Sequence, residues 1–230
     1  MLVLQFCVRL VFAGLFYSAL VVGPAWLLTD SMSWPRGWLA VGVLWATQVI
    51  GGLWFLKTDP DLLEERMSPG ENSAADKLAT LLIVILLICW FVGNPLDVHL
   101  FQLLPPPPAA LSLIGGLILY AAGLAIVTWT FRTNSFAASV VTVQEERGQQ
   151  VIDTGPYAYV RHPMYAGLMP LFAGLSLIME SSATALCVIP MVVIGFLPRV
   201  LIEEATLRRD LEGYDEYLLR TRWRLLPGVI

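Results

Sequence analysis

Six long apolar segments constrain the fold of this chain more than any other feature. The first five contain no Asp, Glu, Lys or Arg, and the sixth reaches its first charge only at Arg199. Apolar runs of about 17–25 residues can cross the roughly 30 Å hydrocarbon core of a bilayer as a helix. The sequence therefore predicts an all-α polytopic membrane protein with about six transmembrane helices. The segments are 10–28, 38–56, 78–94, 111–131, 163–179 and 183–202.

The composition leads to the same fold class. Only 14% of the residues are charged and 57% are hydrophobic, whereas soluble domains carry about 25% charged residues. Too few polar side chains remain to cover a soluble surface. We expect the lipid bilayer as the surrounding partner and no nucleic acid, and the sequence makes no prediction of oligomeric state.

The basic residues predict the orientation. With a cytoplasmic N-terminus, every Lys and Arg except Arg36 falls on the cytoplasmic side, as the positive-inside rule requires. Six spans then leave both termini in the cytoplasm. The first segment is interpreted as a retained span, because it is longer than the roughly 7–15 apolar residues of a signal peptide. A five-span alternative stays open, with 183–202 in the interface because Pro190 and Pro198 interrupt it.

Several functional classes lack their usual signals. Cys7, Cys89 and Cys187 show no paired spacing, and the chain has only two histidines, so we expect no disulfide framework and no metal site. Phosphate-binding, dinucleotide-binding and nucleophile-elbow motifs are missing from the sequence. The spans lack ionisable residues at mid-depth, which weighs against ion-coupled transport.

Three polar stretches lie on the expected cytoplasmic side. Residues 57–77 predict a short amphipathic helix followed by a loop. Residues 132–162 are the longest connection, and 140–143 predict a short extended piece within it. The tail, 204–222, has apolar residues at helical spacing and predicts a C-terminal amphipathic helix.

One motif places two basic side chains directly before a predicted helix start. Arg161 and His162 precede Pro163, and proline is favoured at the first helical position. Unpaired N–H groups at such a start attract anions. Tyr165 and Gly167 follow within about a turn, and glycine allows a ligand or another helix to approach closely. The simpler alternative is an interfacial belt of Arg and Tyr.

A pair of carboxylates lies at the end of the last segment. The connection at 180–182 predicts a tight hairpin, so Glu203 and Glu204 should lie near His162. Anion-binding and cation-binding groups in one pocket would suit a zwitterionic ligand. The simpler alternative is an Arg199–Glu203 pair at i, i+4 with Glu204 in solvent.

These residues resemble a known family. Gly155-Pro156-Tyr157, Arg161-His162-Pro163-x-Tyr165-x-Gly167, Glu203-Glu204-x-x-Leu207, Tyr214-x-x-Tyr217 and Pro227 are similar to the pattern of the isoprenylcysteine carboxyl methyltransferase family. Membrane phospholipid N-methyltransferases share parts of this pattern. The resemblance covers about residues 115–230, so we divide the chain into N-terminal helices, 1–110, and a methyltransferase-like region, 111–230.

The resemblance implies a reaction and a site on the cytoplasmic side. It implies S-adenosylmethionine as methyl donor and a lipophilic or prenylated acceptor that enters from the bilayer. Asn134 and Phe136 would help to form the access path. Phospholipid amine N-methylation, a nicotinamide-dependent (NADPH) membrane reductase and a non-catalytic binding or transport protein are the alternatives. The implied catalytic residues are Arg161, His162 and Arg220, and the implied donor-binding residues are Tyr157, His162, Pro163, Tyr165, Gly167, Glu203 and Glu204.

Overall fold

The computed structural model describes residues 2–67, 73–137 and 147–229, and these form helices and connecting segments without a strand. The all-α prediction is confirmed. Helix α4 continues into a π-helical turn, Asp97–Phe101, and a 3-10 turn, Gly155–Ala158, precedes α6. The helices are α1 (Leu2–Thr29), α2 (Pro35–Thr58), α3 (Pro60–Met67), α4 (Ala74–Leu96), α5 (Ala109–Thr133), α6 (Pro163–Ile178), α7 (Ser182–Asp210) and α8 (Tyr214–Arg220).

Each of the six apolar segments lies in a helix, but one helix is short. Helices α1, α2, α5 and α7, and α4 with its π-helical turn, are long and apolar enough to cross a membrane. Helix α6 has 16 residues, which span about 24 Å. The five-span alternative places 183–202 in the interface, and the structure corrects this. Helix α7 runs unbroken through Pro190 and Pro198 over 29 residues. The apolar helix that is shorter than the others is α6 instead.

The outer faces of the long helices are apolar. Several leucine and isoleucine side chains on these faces are at least 68% exposed. In contrast, α6 buries most of its residues between its neighbours. The exposed apolar outer faces require a lipid environment, so the protein is an integral membrane protein. Its shortest apolar helix, α6, forms the centre of the bundle. The most exposed of these residues include Leu4, Leu27, Ile50, Leu78 and Leu186.

The helices alternate in direction, as contacts between their connections demonstrate. Arg36 donates from Nη2 to the carbonyl of Ala109 at 2.8 Å, and the same atom lies 3.4 Å from Oε1 of Glu180. The connections before α2, α5 and α7 therefore meet at one end, the distal end. Arg9 donates to the carbonyl of Met67 at 2.6 Å, which places the start of α1 and the end of α3 together at the opposite end. We call this opposite end the site end.

Helices α5 and α6 pack with their backbones in close approach. A Cβ atom on Gly123 of α5 would lie 2.5 Å from the backbone nitrogen of Leu171 and 2.6 Å from the carbonyl oxygen of Gly167. Only glycine fits such a distance, because ordinary Cβ contacts are longer. This packing holds the short α6 against a full-length helix and fixes its start at the site end.

The predicted limits of α6 are confirmed at both ends. His162 is the N-cap residue and Pro163 occupies the first helical position. The connection to α7 is a tight hairpin in which Glu180 adopts a left-handed φ of 69°. Both features bring the start of α6 to the same end as the last turns of α7.

The predicted tail helix over 204–222 is wrong in its limits. Residues 204–210 continue α7, and the chain then turns at Gly213, which has a φ of 82°, before the short helix α8. The turn buries Tyr214 and Tyr217 against the bundle. The expected helix at 57–77 is present as α3, whose Leu62 and Leu63 are buried. The loop expected after it, at 68–72, and the extended piece expected at 140–143 lie outside the described residues.

Candidate functional site

A cleft opens at the site end between the start of α6, the end of α7 and the tail. Its enclosed cavity measures about 100 Å³ and continues into a wider opening toward solvent. This volume is below the roughly 300–1,000 Å³ of typical small-molecule sites, so a ligand of ordinary size would also occupy the open part of the cleft. The lining combines aromatic rings with charged groups of both signs. It includes Asn134, Phe136, Ala137, Gln149, Gln150, Tyr157, Arg161, His162, Pro163, Met164, Tyr165, Arg199, Glu203, Thr206, Leu207, Tyr214 and Tyr217.

The start of α6 is fixed by backbone pairing with the tail. The N–H groups of Arg161 and His162 donate to the carbonyls of Trp223 and Arg224, each at 2.9 Å. The first N–H groups of a helix have no partner within the helix. Because Pro163 begins α6, the N–H groups of Met164 and Tyr165 belong to this first turn and have no partner within the helix. Both residues line the cleft.

Glu204 is the centre of a buried charge cluster. Its side chain is 8% exposed, and Oε1 lies 3.1 Å from Nε of Arg161 and 3.4 Å from Nε2 of His162. Arg224 donates from Nε to Oε2 at 3.1 Å. One carboxylate thus joins α6, α7 and the tail, which compensates the cost of burying it.

Glu203 is placed differently from its neighbour. Its side chain is 31% exposed and lines the cleft. Tyr165 donates its hydroxyl to Oε2 of Glu203 at 3.4 Å, and Nδ1 of His162 lies 3.9 Å from the same oxygen. Neither contact is shorter than 3.4 Å, whereas two arginines lie 3.1 Å from Glu204. Glu203 is therefore the carboxylate that can receive a cation from the cleft.

Tyrosine hydroxyls organise the wall formed by the tail. Tyr217 donates to the carbonyl of Tyr157 at 2.9 Å, and Asn134 donates to the hydroxyl of Tyr157 at 2.8 Å. Burial raises the pKa of Tyr217 to about 12 and also raises the pKa values of Tyr157 and Tyr214. All three phenols are consequently neutral at physiological pH.

The structure brings most of the predicted site residues to one cleft. Tyr157, Arg161, His162, Pro163, Tyr165 and Glu203 line it, together with the expected access residues Asn134 and Phe136. Glu204 lies behind the wall and holds Arg161 and His162 in place.

Two predicted residues lie elsewhere. Gly167 faces α5, where an added Cβ would lie 3.1 Å from the carbonyl oxygen of Gly123 and 3.0 Å from Val127. Its role in the structure is therefore helix packing. Arg220 is 63% exposed and forms an ion pair with Asp153 at 2.7 Å, outside the lining of the cleft.

Two arginines of the site were missed as site residues from the sequence. Arg199 lines the cleft and contacts Asp76 and Thr80 of α4, whereas the simple interpretation paired it with Glu203. Arg224 binds Glu204. A buried carboxylate requires compensating cations, and three arginines alternate over 220–224, which is the signal that could have indicated Arg224.

The cleft can bind a small zwitterion with an apolar or aromatic part. It offers the carboxylate of Glu203, the cationic side chains of Arg161 and Arg199, and aromatic rings from α6 and the tail. Within the described residues, no three His, Cys, Asp or Glu side chains are grouped as metal ligands.

Comparison with known proteins relates part of the chain to a family of methyltransferases. No curated protein matches the chain in sequence. Residues 111–212 match the family model of the phospholipid methyltransferases, and this range contains α5, α6 and α7 with His162, Tyr165 and Glu203. The part of the chain that forms most of the cleft is thus similar to the phospholipid methyltransferases, a family of membrane methyltransferases.

Proposed function

We propose that the protein is an S-adenosylmethionine-dependent methyltransferase that acts on a lipophilic acceptor at the membrane surface. The observation that carries this proposal is the position of Glu203. It faces a cleft shared with His162 and the start of α6, inside the segment that matches the family model.

The chemistry of the cleft fits this donor. S-adenosylmethionine carries an ammonium, a carboxylate, a sulfonium and an aromatic base. Glu203 would hold the ammonium. Cationic side chains and the N–H groups at the start of α6 would hold the carboxylate. Tyr165, Tyr157 and Tyr214 offer aromatic surface, and the ring of a neutral tyrosine also attracts a cation such as a sulfonium.

When bound, the donor supplies an electrophilic methyl group, so the chain has to position the acceptor and exclude water. The cleft is lined on one side by α8 and on the other by residues 134–137 and 149–152, and these walls would position the acceptor and limit its contact with water. The acceptor has to approach in line with the transferred methyl group, and a site that fixes this orientation lowers the barrier to transfer. Neutralisation of charge during transfer is also easier where water is excluded.

Carboxyl O-methylation is the first acceptor chemistry we propose. A carboxylate needs no general base. Arg161 would orient it, while the ion pair with Glu204 prevents Arg161 from stabilising the carboxylate too strongly before transfer. An isoprenylcysteine-like molecule is one acceptor with the required carboxylate and lipid tail.

Phospholipid amine N-methylation is the second acceptor chemistry, and the matched family model favours it. An amine must lose a proton. His162 is the better candidate base, because Glu204 is already balanced by Arg161 and Arg224. We further propose that the site end faces the cytoplasm, since the basic residues concentrate there.

Mass spectrometry of lipids tests the function and separates the two acceptors. Purified protein in vesicles of phosphatidylethanolamine and phosphatidylglycerol receives methyl-labelled S-adenosylmethionine, with or without N-acetyl-S-farnesylcysteine. Label in a lipid amine or in a methyl ester supports the corresponding chemistry. Total membrane lipid extract serves as a third acceptor pool. Wild-type protein that labels none of these pools contradicts the proposal.

A further inference from the structure

Asp76 is a buried carboxylate outside the segment that matches the family model. It lies in the first turn of α4 and is 1% exposed. Neither of its carboxylate oxygens accepts a hydrogen bond from the residues that the structure describes. A buried charge without hydrogen bonds costs free energy, and the cost is smaller when an opposite charge is close.

Among the described residues, the cation that pairs with Asp76 is Arg199 of α7. Its Nε lies 3.7 Å from Oδ1 of Asp76. One turn further along α4, the hydroxyl of Thr80 accepts a hydrogen bond from Nη1 of Arg199 at 3.0 Å. Two groups of α4 thus act on one guanidinium, and they restrict its orientation.

The guanidinium that α4 restrains belongs to the cleft wall. Arg199 lines the cleft, and its side chain is only 12% exposed. Glu203 lies four residues later on the same helix and lines the same cleft. Side chains at i and i+4 of a helix are neighbours, with Cβ atoms about 5–6 Å apart.

A cation and an anion at this spacing match one particular ligand group. The carboxylate and ammonium of an α-amino acid are attached to the same carbon atom. A ligand with this group can therefore contact Arg199 and Glu203 at the same time. The guanidinium offers several N–H donors in a fixed plane, which suits a carboxylate.

From this geometry we infer that Asp76 is a positioning residue that orients Arg199 to bind the carboxylate of the methyl donor. The inference rests on the proposed function and goes beyond it, because it assigns the N-terminal helices a part in donor recognition. Asp76 does not touch the ligand and acts through Arg199.

Decarboxylated S-adenosylmethionine separates this role from a structural one. The analogue keeps the ammonium, sulfonium and base and lacks only the carboxylate. Replacing Asp76 by Asn should raise the Kd for S-adenosylmethionine about tenfold, in the range expected for a misplaced charged partner. The Kd for the analogue should change less than about twofold, because the affected contact is absent.

Further variants test whether Asp76 acts through Arg199. Thr80→Val has nearly the same shape and should give the same pattern with about a threefold effect, which covers the case in which Asp76→Asn does not fold. In an Arg199→Gln background, Asp76→Asn should have little further effect. Asp61→Asn removes a carboxylate from an exposed position of α3 and is the matched control.

The outcomes distinguish the inference from the proposed function. Equal losses of affinity for donor and analogue in the folded variants, or no loss for either, overturn the inference alone. Wild-type protein that binds neither compound overturns both.

Discussion

The Nε atom of Arg161 lies 3.1 Å from Oε1 of Glu204, and each of the two side chains is only 8% exposed. The same carboxylate also binds Arg224 and lies 3.4 Å from His162. Its neighbour Glu203 is 31% exposed and faces the cleft. Two adjacent carboxylates therefore differ in role: Glu204 holds three segments together, and Glu203 is available to a ligand.

Neutralising Glu204 should destabilise the protein. Glu204→Gln leaves Arg161 and Arg224 without their common anion, and removing one partner of a buried pair costs about 3–5 kcal/mol. Glu203→Gln should cost less than about 1 kcal/mol, since partly exposed pairs contribute little. Denaturant unfolding in detergent measures both. Equal losses in the two variants would contradict the division of roles.

Arg161 and Arg220 should differ in their effect on donor binding and methyl transfer. Arg161 lines the cleft, whereas Arg220 is exposed and paired with Asp153. We expect Arg161→Gln to lower kcat/KM at least about a hundredfold, the scale of a lost charged contact to the reacting groups. Arg220→Gln should stay within about twofold of wild type. A larger loss of kcat/KM in Arg220→Gln would indicate that Arg220 belongs to the site after all.

The close approach of α5 and α6 should tolerate no side chain at Gly123. A Cβ there would lie 2.5 Å from the nitrogen of Leu171, so the helices would have to separate. We expect Gly123→Ala to lower the free energy of unfolding by about 1–3 kcal/mol or more. Gly115→Ala on the same helix has open space around the new atom and is the matched control. Similar stability of the two variants would contradict the packing.

Stability should fall in alkaline solution because of the buried tyrosines. The pKa of Tyr217 is raised by burial from its ordinary value of 10.0 to about 12. The unfolded chain releases this proton first, so the stability present below pH 10 decreases as the pH rises toward 12. Unfolding at pH 9, 10 and 11 should show the decrease. It should be less steep in Tyr217→Phe, and an unchanged slope would argue against a buried phenol at this position.

The sequence predicts the helices well because their signal is local. Apolar runs without charge define each span, and Pro163 defines the start of α6. The pairing of Arg161 and His162 with Trp223 and Arg224 is not local, because it joins backbone groups about sixty residues apart. Arg199 illustrates the same point: an i, i+4 partner is visible in the sequence, but its contacts with Asp76 and Thr80 depend on how α4 packs against α7.

Glycine positions are a second feature that the local sequence does not determine. The motif that begins at Arg161 makes Gly167 equally suited to a ligand or to a helix. The structure places α5 there, and no local signal distinguishes the two neighbours. The predicted tail helix extends too far for a similar reason, since periodic apolar residues continue across Gly213, where the backbone turns.

Direct binding of labelled S-adenosylmethionine to the protein in lipid nanodiscs tests whether the cleft at Glu203 holds the methyl donor. We expect saturable binding by the wild type and at least about tenfold weaker binding by Glu203→Gln, the effect of about 1.4 kcal/mol. Glu216→Gln, which removes an exposed carboxylate of α8, should bind as the wild type does. No saturable binding by the wild type, or equal affinity in Glu203→Gln, would contradict the assignment of this cleft.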